Sequence, residues 1–230
     1  MGKLIVIEGV DASGKATQTK CLYDRLAAEY GAVRQISFPD YNSDFAVPIK
    51  RYLAGDLGKH ADDVNPYAAS LFYAIDRYAS YKRDWSDFYE HDGILVADRY
   101  VTSNLVHQAA KITGDKHGFI HWLSDLEYDK LTLPRPDLVL FLDMPPAYAR
   151  QLMQNRANKI TGSMQKDIHE SDSGYLERAY DNAMQIAAIT GWQIVSCVKN
   201  GAVRSIEDIH EEIYHLVKMN IEHSGENKRN

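Results

Sequence analysis

The feature that most constrains this chain is a glycine-bounded loop between an apolar run and a helical pattern. Residues 4–7 form the apolar run, residues 9–15 form the loop, and residues 17–30 have the spacing of a helix. The backbone N–H groups of such a loop point into one concavity, and the positive end of the helix dipole adds to their attraction for an anion. The order of strand, loop and helix therefore predicts a phosphate-binding loop in which Lys15 reaches the outer phosphates of a triphosphate.

The loop departs from the pattern G-x-x-x-x-G-K-[ST] at its last position, because residue 16 is alanine. The hydroxyl that commonly ligates Mg²⁺ is therefore absent, and Thr17 lies about 100° further round the helix. A tight strand-to-helix turn would also explain the glycines, but it would need no lysine after the second one. The residues predicted to surround the triphosphate are Gly9, Val10, Asp11, Ala12, Ser13, Gly14, Lys15, Ala16 and Thr17.

Composition limits the partners and the compartment of this chain of 230 residues. It is 45% hydrophobic and 25% charged, which is typical of a globular protein, and no apolar run approaches ~18 residues. The net charge of -6 argues against a broad nucleic-acid or anionic-membrane surface, so any phosphate site must be local. Cys21 and Cys197 lack metal-type spacing and indicate free thiols in a reducing compartment. With no signal-peptide pattern at the N-terminus, we expect a cytoplasmic protein without a membrane or nucleic-acid partner.

Strand patterns alternate with helix patterns along the chain. The predicted strands are residues 4–7, 33–38, 94–97, 138–142 and 192–197. The predicted helices are residues 17–30, 44–53, 66–88, 102–111, 118–130, 175–190 and 206–219. This alternation predicts an α/β fold with a five-stranded parallel sheet flanked by helices.

One stretch in the second half has no steady period. Residues 156–173 are polar and contain several charges, which is typical of a lid or a linker. We therefore predict a single domain of residues 1–220 that includes a mobile lid at about 156–173. Residues 221–230 are polar and are predicted to form a frayed tail.

Charged side chains follow the third predicted strand. Asp98 and Arg99 lie at its carboxyl end, where the side chains of an open parallel sheet converge on a ligand. They are therefore predicted to face the phosphate loop. On the long helix before this strand, Tyr73 and Arg77 are four residues apart and share one face.

Together these motifs resemble the thymidylate kinase family of P-loop nucleoside monophosphate kinases. The resemblance extends to about residue 219, and the Asp-Arg-Tyr element with its Ser-Asn is its most specific part. The residues that carry it are Ile7-Glu8-Gly9-Val10-Asp11 with Gly14-Lys15, Phe38-Pro39, Leu71-Phe72 before Arg77, Asp98-Arg99-Tyr100 with Ser103-Asn104, Gln108, and Pro134-Arg135-Pro136-Asp137 leading to Leu142-Asp143.

The resemblance implies transfer of phosphate from ATP to dTMP, giving dTDP, with Mg²⁺ as cofactor and a homodimer as the assembly. The acceptor is a phosphate monoester whose second pKa is ~6, so near neutral pH it is largely a dianion and needs no general base. Catalysis then consists of holding two anions in line and neutralising their charge.

The resemblance also assigns roles to single residues. Lys15 is expected to hold the β- and γ-phosphates of ATP, and Arg99 to bridge the donor and acceptor phosphates. Arg77 is expected to grip the dTMP phosphate, since a planar guanidinium suits phosphate oxygens. Asp11 is expected near the sugar 3′-hydroxyl and the metal.

Further residues are implied around the nucleoside. Phe38 and either Tyr73 or Phe72 are expected to wall the thymine ring, and Asn104 and Gln108 to lie along its polar edge. Ser103 and His107 complete this substrate-binding set, with His107 beside the ribose. Each of the three aromatic residues, taken singly, could instead be a core residue.

The sequence departs from the family pattern in two places. The phosphate loop carries Ala12 and Ser13 and no arginine, so the lid must supply the catalytic cation, for which the candidates are Lys166 and Arg156. Because residue 16 has no hydroxyl, the metal is expected to be held by the phosphates, by water and by Asp98 or Asp11.

Two other functions stay open at this point. Another nucleotide kinase, or a deoxynucleoside kinase in which Glu8 acts as a base, would share the phosphate loop. A nucleotide-binding regulator with weakened catalysis would explain Ala16 and the arginine-poor lid. The arginines also have a structural alternative, because Arg77 could pair with a helix carboxylate and Arg99 with Asp98.

Overall fold

The computed structural model describes residues 1–153 and 173–227 of the chain. Its centre is a parallel sheet with the strand order β2-β3-β1-β4-β5. These strands are β1 (Lys3–Gly9), β2 (Val33–Ser37), β3 (Ile94–Asp98), β4 (Leu138–Asp143) and β5 (Gln193–Ser196). This arrangement confirms the predicted five-stranded parallel sheet flanked by helices.

Helices connect the strands and cover both faces of the sheet. Their bounds are α1 (Lys15–Tyr30), α2 (Val47–Leu53), α3 (Pro66–Ser80), α4 (Ser86–Glu90), α5 (Val101–His107), α6 (Lys116–Ser124), α7 (Pro146–Met153), α8 (Ser173–Thr190) and α9 (Ile206–Asn227). A short antiparallel pair, β6 (Val198–Lys199) and β7 (Ala202–Val203), precedes α9. No helix in the described ranges is both long enough and apolar enough to span a membrane.

Three local features differ from the sequence prediction. The helix predicted over residues 66–88 contains a π-helical turn, Tyr81–Trp85, between α3 and α4. A second π-helical turn, Asp125–Lys130, follows α6. The last helix continues to Asn227, so residues 221–227 are helical where the sequence predicts a frayed tail.

The core lies on both faces of the sheet because β1 is buried on both sides. Its side chains alternate, so Ile5 and Ile7 pack in the cluster that includes Leu22 of α1. Leu4 and Val6 pack in the opposite cluster with Trp85. Burying each such aliphatic side chain contributes about 1.5–3 kcal/mol. This packing gives the carboxyl end of β1 a rigid support.

The register of the sheet aligns the ends of its central strands. Ile7 of β1 lies opposite Asp98 of β3, and Gly9 lies opposite Leu142 of β4. The loop after Gly9 and the residues after Asp98 therefore leave the sheet at the same edge.

The start of α3 offers a test of local stability on the helix that carries Arg77. The side chain of Asn65 accepts hydrogen bonds from the N–H groups of Tyr67 and Ala68, at 2.9 and 3.3 Å. We expect Asn65→Ala to lower the free energy of unfolding by about 1 kcal/mol because two N–H groups lose their acceptor. Urea unfolding measures this change. Asn42→Ala, at an exposed position outside a helix, should change it by less than about 0.5 kcal/mol, and equal effects of the two would contradict the capping role.

Candidate active site

The loop after β1 curls between two residues with left-handed backbone conformations. Ala12 has φ of 62° and Gly14 has φ of 90°. Gly14 directly precedes α1, where an L-residue would be strained in that conformation. The concave side of the loop belongs to a cavity of about 300 Å³, which is lined by Asp11, Ala12, Gly14, Lys15, Ala16, Thr17 and Leu152. This volume is within the range of small-molecule sites.

The side chain of Lys15 lies across the loop. Its ammonium donates a hydrogen bond to the carbonyl oxygen of Val10 at 2.7 Å, and the residue is buried. Burial, together with the positive charge of Arg99, lowers the pKa of Lys15 to about 7, although Asp11 and other carboxylates act in the opposite direction. A buried ammonium with one carbonyl partner is suited to accept phosphate oxygens in its place.

A buried carboxylate holds the end of β1 against the start of α5. Glu8 is fully buried and accepts hydrogen bonds from the N–H of Gly9 at 2.9 Å and from the hydroxyls of Thr102 and Ser103 at 2.9 and 2.8 Å. Its other contact is with the Arg99 guanidinium at 3.4 Å. Because its oxygens are occupied in this way, Glu8 orients the site and is not placed to act as a base.

Arg99 faces the phosphate loop, as the sequence predicts. Its guanidinium contacts a carboxylate oxygen of Asp11 at 2.5 Å, Nε2 of His107 at 3.1 Å and the hydroxyl of Ser103 at 3.3 Å. Its φ of 68° is unusual for a residue with a side chain and costs of order 1–3 kcal/mol. Burial alone would lower the pKa of Arg99, but Asp11 and Glu8 raise it above its ordinary value, so the group stays charged.

Arg77 belongs to a different cluster, with a residue that the sequence analysis missed. Its guanidinium donates through Nε and Nη2 to the two carboxylate oxygens of Glu127, at 2.6 and 2.5 Å. The side-chain amide of Asn104 donates to the same carboxylate at 3.1 Å and to the carbonyl of Ser70 at 3.3 Å. Arg77 therefore pairs with a carboxylate, but this partner is buried and lies in the distant π-helical turn Asp125–Lys130. Binding of the dTMP phosphate by Arg77 stays a prediction.

A sequence signal for Glu127 existed. Phe119, Leu123 and Glu127 recur every four residues, and all three are fully buried. A glutamate that continues an apolar stripe must find a partner inside the protein. Its partner could not be read from the sequence, because Arg77 lies fifty residues earlier.

The predicted aromatic residues fall into two groups. Phe38 is buried and packs against Tyr100, with ring centroids 5.9 Å apart. Phe72 and Tyr73 are half-buried and pack on Tyr52, at 6.4 and 6.5 Å. The two groups belong to different clusters of the core, so Phe38 packs apart from Phe72 and Tyr73.

His107 and Gln108 are both buried. His107 stacks on Tyr175, with ring centroids 6.2 Å apart, and Tyr175 donates to its backbone carbonyl at 3.0 Å. Gln108 is fully buried, and neither of its side-chain polar atoms has a hydrogen-bond partner among the described residues. Arg156 and Lys166, the predicted lid cations, lie outside the described residues.

The carboxylates predicted to hold a metal are placed differently. Asp11 is paired with Arg99, whereas one carboxylate oxygen of Asp98 is buried and has no hydrogen-bond partner in the described part of the chain. Within residues 1–153 and 173–227 no cluster of three or more histidine, cysteine or acidic side chains could hold a metal ion.

The lowered pKa of Lys15 predicts a pH-dependent stability. Between about pH 7 and pH 10 the unfolded chain keeps a proton on Lys15 that the native protein has released, so native stability rises with pH by up to about 1.4 kcal/mol per unit. Lys15→Met lacks the titrating group, so its free energy of unfolding should not show this rise. We therefore expect the difference, variant minus wild type, to become more negative between about pH 7 and about pH 9 when both are measured by urea unfolding. Lys20→Met, at an exposed lysine of α1, should show no such fall. A difference for Lys15→Met that does not change with pH would contradict the shift.

Comparison with known proteins identifies the family. The thymidylate kinase family model matches residues 7–213. A thymidylate kinase of Mycobacterium tuberculosis (strain CDC 1551 / Oshkosh) is 30% identical over 191 residues, which cover 82% of this chain and 87% of that protein. A thymidylate kinase of Schizosaccharomyces pombe is 28% identical over 220 residues, covering 94% and 91%. The solved structure of the thymidylate kinase from Candida albicans has a TM-score of 0.69 at 21% identity, covering 96% of this chain and 93% of that one.

The residues that the family model matches include the phosphate loop and the residues after β3. At 21% identity the solved structure establishes the shared fold. The family model and the curated relatives establish homology over most of the sequence. The resemblance predicted from the motifs is therefore confirmed, and the chain belongs to the thymidylate kinase family.

Proposed function

We propose that this protein transfers the γ-phosphate of ATP to dTMP and forms dTDP. The observation that carries the proposal is the meeting of Lys15, Arg99 and Asp11 at the loop after β1 in a chain of this family. Two cations at one concave loop suit two phosphate-bearing substrates. A binding module would need fewer of them, which speaks against the regulator alternative.

The chemistry requires alignment and charge neutralisation more than proton transfer. The dTMP phosphate attacks as a dianion and needs no general base, so a buried Glu8 is compatible with the reaction. Lys15 would exchange the Val10 carbonyl for the β- and γ-phosphates of ATP. Arg99 would exchange Asp11 for the transferring phosphate, and Glu8, Ser103 and the strained backbone would keep its guanidinium aimed at the loop.

The acceptor nucleotide would lie between helix α3, the segment that follows β2 and the segment that follows β3. Asn104 and Gln108 are proposed to lie along the polar edge of thymine, Phe38 with Phe72 or Tyr73 along its ring, and Ser103 and His107 near the sugar. Arg77 would offer dTMP the Nη1 edge of its guanidinium, because Glu127 occupies the other two nitrogens.

Mg²⁺ is proposed as the cofactor that neutralises the charge of the triphosphate when bound. The residues fit such an ion, because a buried carboxylate oxygen of Asp98 has no hydrogen-bond partner among the described residues. Asp98 is therefore the proposed ligand, with Asp11 as the second candidate once it is released from Arg99. Phosphates and water would supply the other positions, as Mg²⁺ commonly allows. Whether Lys166 or Arg156 contributes the lid cation stays a prediction, as do the cytoplasmic location and the absence of nucleic-acid and membrane partners.

An ATP-coupled assay with dTMP, thymidine, dUMP and dCMP tests the reaction. We expect dTMP to be the best acceptor and Arg99→Met to lower kcat by about 10²-fold, since it removes the charge aimed at the transferring phosphate. Arg25→Met is the matched control, because Arg25 pairs with Glu211 at 2.6 Å away from the loop, and it should stay within about twofold. Preference for thymidine would favour the deoxynucleoside kinase alternative. Tight ATP binding without product from any acceptor would favour the regulator.

We also propose that the protein is a homodimer that associates through α3. The two charged residues of this helix, Asp76 and Arg77, are buried, whereas Leu71, Ile75 and Tyr78 are 42%, 49% and 39% exposed. These three have the i, i+4, i+7 spacing of a contact face. The same face on a second copy is an apolar partner of matching shape, because a two-fold axis brings identical surfaces together.

Sedimentation velocity tests this assembly. We expect the wild type to sediment as a dimer and Ile75→Glu to sediment as a monomer, because a charge in an apolar contact is desolvated without a partner. Ile189→Glu is the matched control at a 57% exposed isoleucine of α8 and should leave the dimer intact. A monomeric wild type, or a dimer that Ile75→Glu does not affect, would contradict the proposed face.

A further inference from the structure

Glu127 is a buried acidic residue to which the proposed reaction assigns no role. It lies in the π-helical turn Asp125–Lys130 that joins α6 to the segment before β4. Its side chain is fully buried, and both of its carboxylate oxygens already accept hydrogen bonds from side chains of the protein. Turns of this kind are frequent at functional sites.

The contacts of Glu127 join two elements that are distant in sequence. One carboxylate oxygen accepts from Nη2 of Arg77 and from the amide of Asn104, at 2.5 and 3.1 Å. The other accepts from Nε of Arg77 at 2.6 Å. Arg77 belongs to α3 and Asn104 to α5, so one carboxylate sets the relative position of two side chains proposed to bind dTMP.

The geometry leaves particular atoms of these partners for a ligand. Arg77 uses two of its three nitrogens on Glu127, and the third, Nη1, is 3.5 Å from the carbonyl of Tyr100. Asn104 uses its amide nitrogen on Glu127 and Ser70, and its side-chain oxygen accepts no hydrogen bond from the described residues. A donor and an acceptor are therefore held in fixed directions, and the charge of Arg77 is balanced.

We propose that Glu127 is a positioning residue for the acceptor nucleotide, acting through Arg77 and Asn104. This inference rests on the proposed function, since it assumes that dTMP is the nucleotide these residues meet. Glu127 contacts neither Lys15, which is proposed to hold the phosphates of ATP, nor Arg99, which is proposed to hold the transferring phosphate. Its replacement should therefore weaken dTMP binding and leave ATP binding unchanged.

A purely structural role makes a different prediction. If Glu127 served only to neutralise Arg77, any carboxylate at this position would suffice, because removal of one partner of a buried ion pair is what destabilises a protein. Glu127→Asp separates these roles. Aspartate keeps the charge, but it is one methylene shorter and cannot reach both Arg77 and Asn104 in the present geometry.

The experiment compares Glu127→Asp, Glu127→Gln and a control with the wild type. The control is Glu212→Asp, because Glu212 pairs with Arg204 at 2.6 Å on α9, away from the nucleotide. KM values for dTMP and ATP come from steady-state kinetics, and the Kd for dTMP comes from calorimetry. Thermal unfolding establishes that each variant is folded.

We expect folded Glu127→Asp to raise KM and Kd for dTMP by about tenfold or more, because misplaced contacts lose their alignment. KM for ATP should stay within about twofold, and Glu212→Asp should change none of these values by more than that. Glu127→Gln should show the same selective effect if it folds.

Three results would overturn the inference. The first is a folded Glu127→Asp with wild-type KM and Kd for dTMP, and the second is an equal rise in KM for both substrates. The third is failure of both Glu127 variants to fold, which would assign the residue to stability alone. A wild type that binds dTMP without turning it over would refute the proposed function, and the Kd values would still decide the role of Glu127.

Discussion

The site depends on the buried carboxylate of Glu8. The hydroxyls of Thr102 and Ser103 donate to it, so it joins the end of β1 to the first turn of α5. Its contact with Arg99 turns that guanidinium toward the loop. A buried carboxylate is stable only when its oxygens are satisfied, so the arrangement around it tolerates little displacement. The sheet register brings the two elements to one edge, and Glu8 then determines the direction in which Arg99 points.

Each of the three cations of the site has a partner within the protein. Arg99 is paired with Asp11, Arg77 with Glu127, and the ammonium of Lys15 has a lowered pKa and a carbonyl partner. Under the proposed function, nucleotide binding would therefore exchange these partners for phosphate oxygens. In a chain with a net charge of -6, such an exchange would confine phosphate attraction to this location.

The sequence predicted the sheet, the phosphate loop and the placement of Arg99, because each depends on a local pattern: an apolar strand, bounding glycines, or a position after a strand. It did not predict the contacts that join distant segments. Glu127 meets Arg77 only after α3 and α6 have packed, and Asp11 meets Arg99 only across the sheet edge. Phe38 and Phe72 likewise belong to different core clusters. The sequence shows that both are aromatic, but it does not show which cluster each ring joins.

The connection from β3 to α5 contains only Arg99 and Tyr100. A link of two residues cannot absorb a change in length, and Arg99 already has a left-handed backbone conformation. A single insertion or deletion here would rotate the guanidinium away from the loop and shift every later residue of α5 relative to Glu8. Length variation among descendants of this gene should therefore be absent between Asp98 and Val101, and it should accumulate instead in surface connections such as residues 54–65, where no side chain of the phosphate loop is anchored.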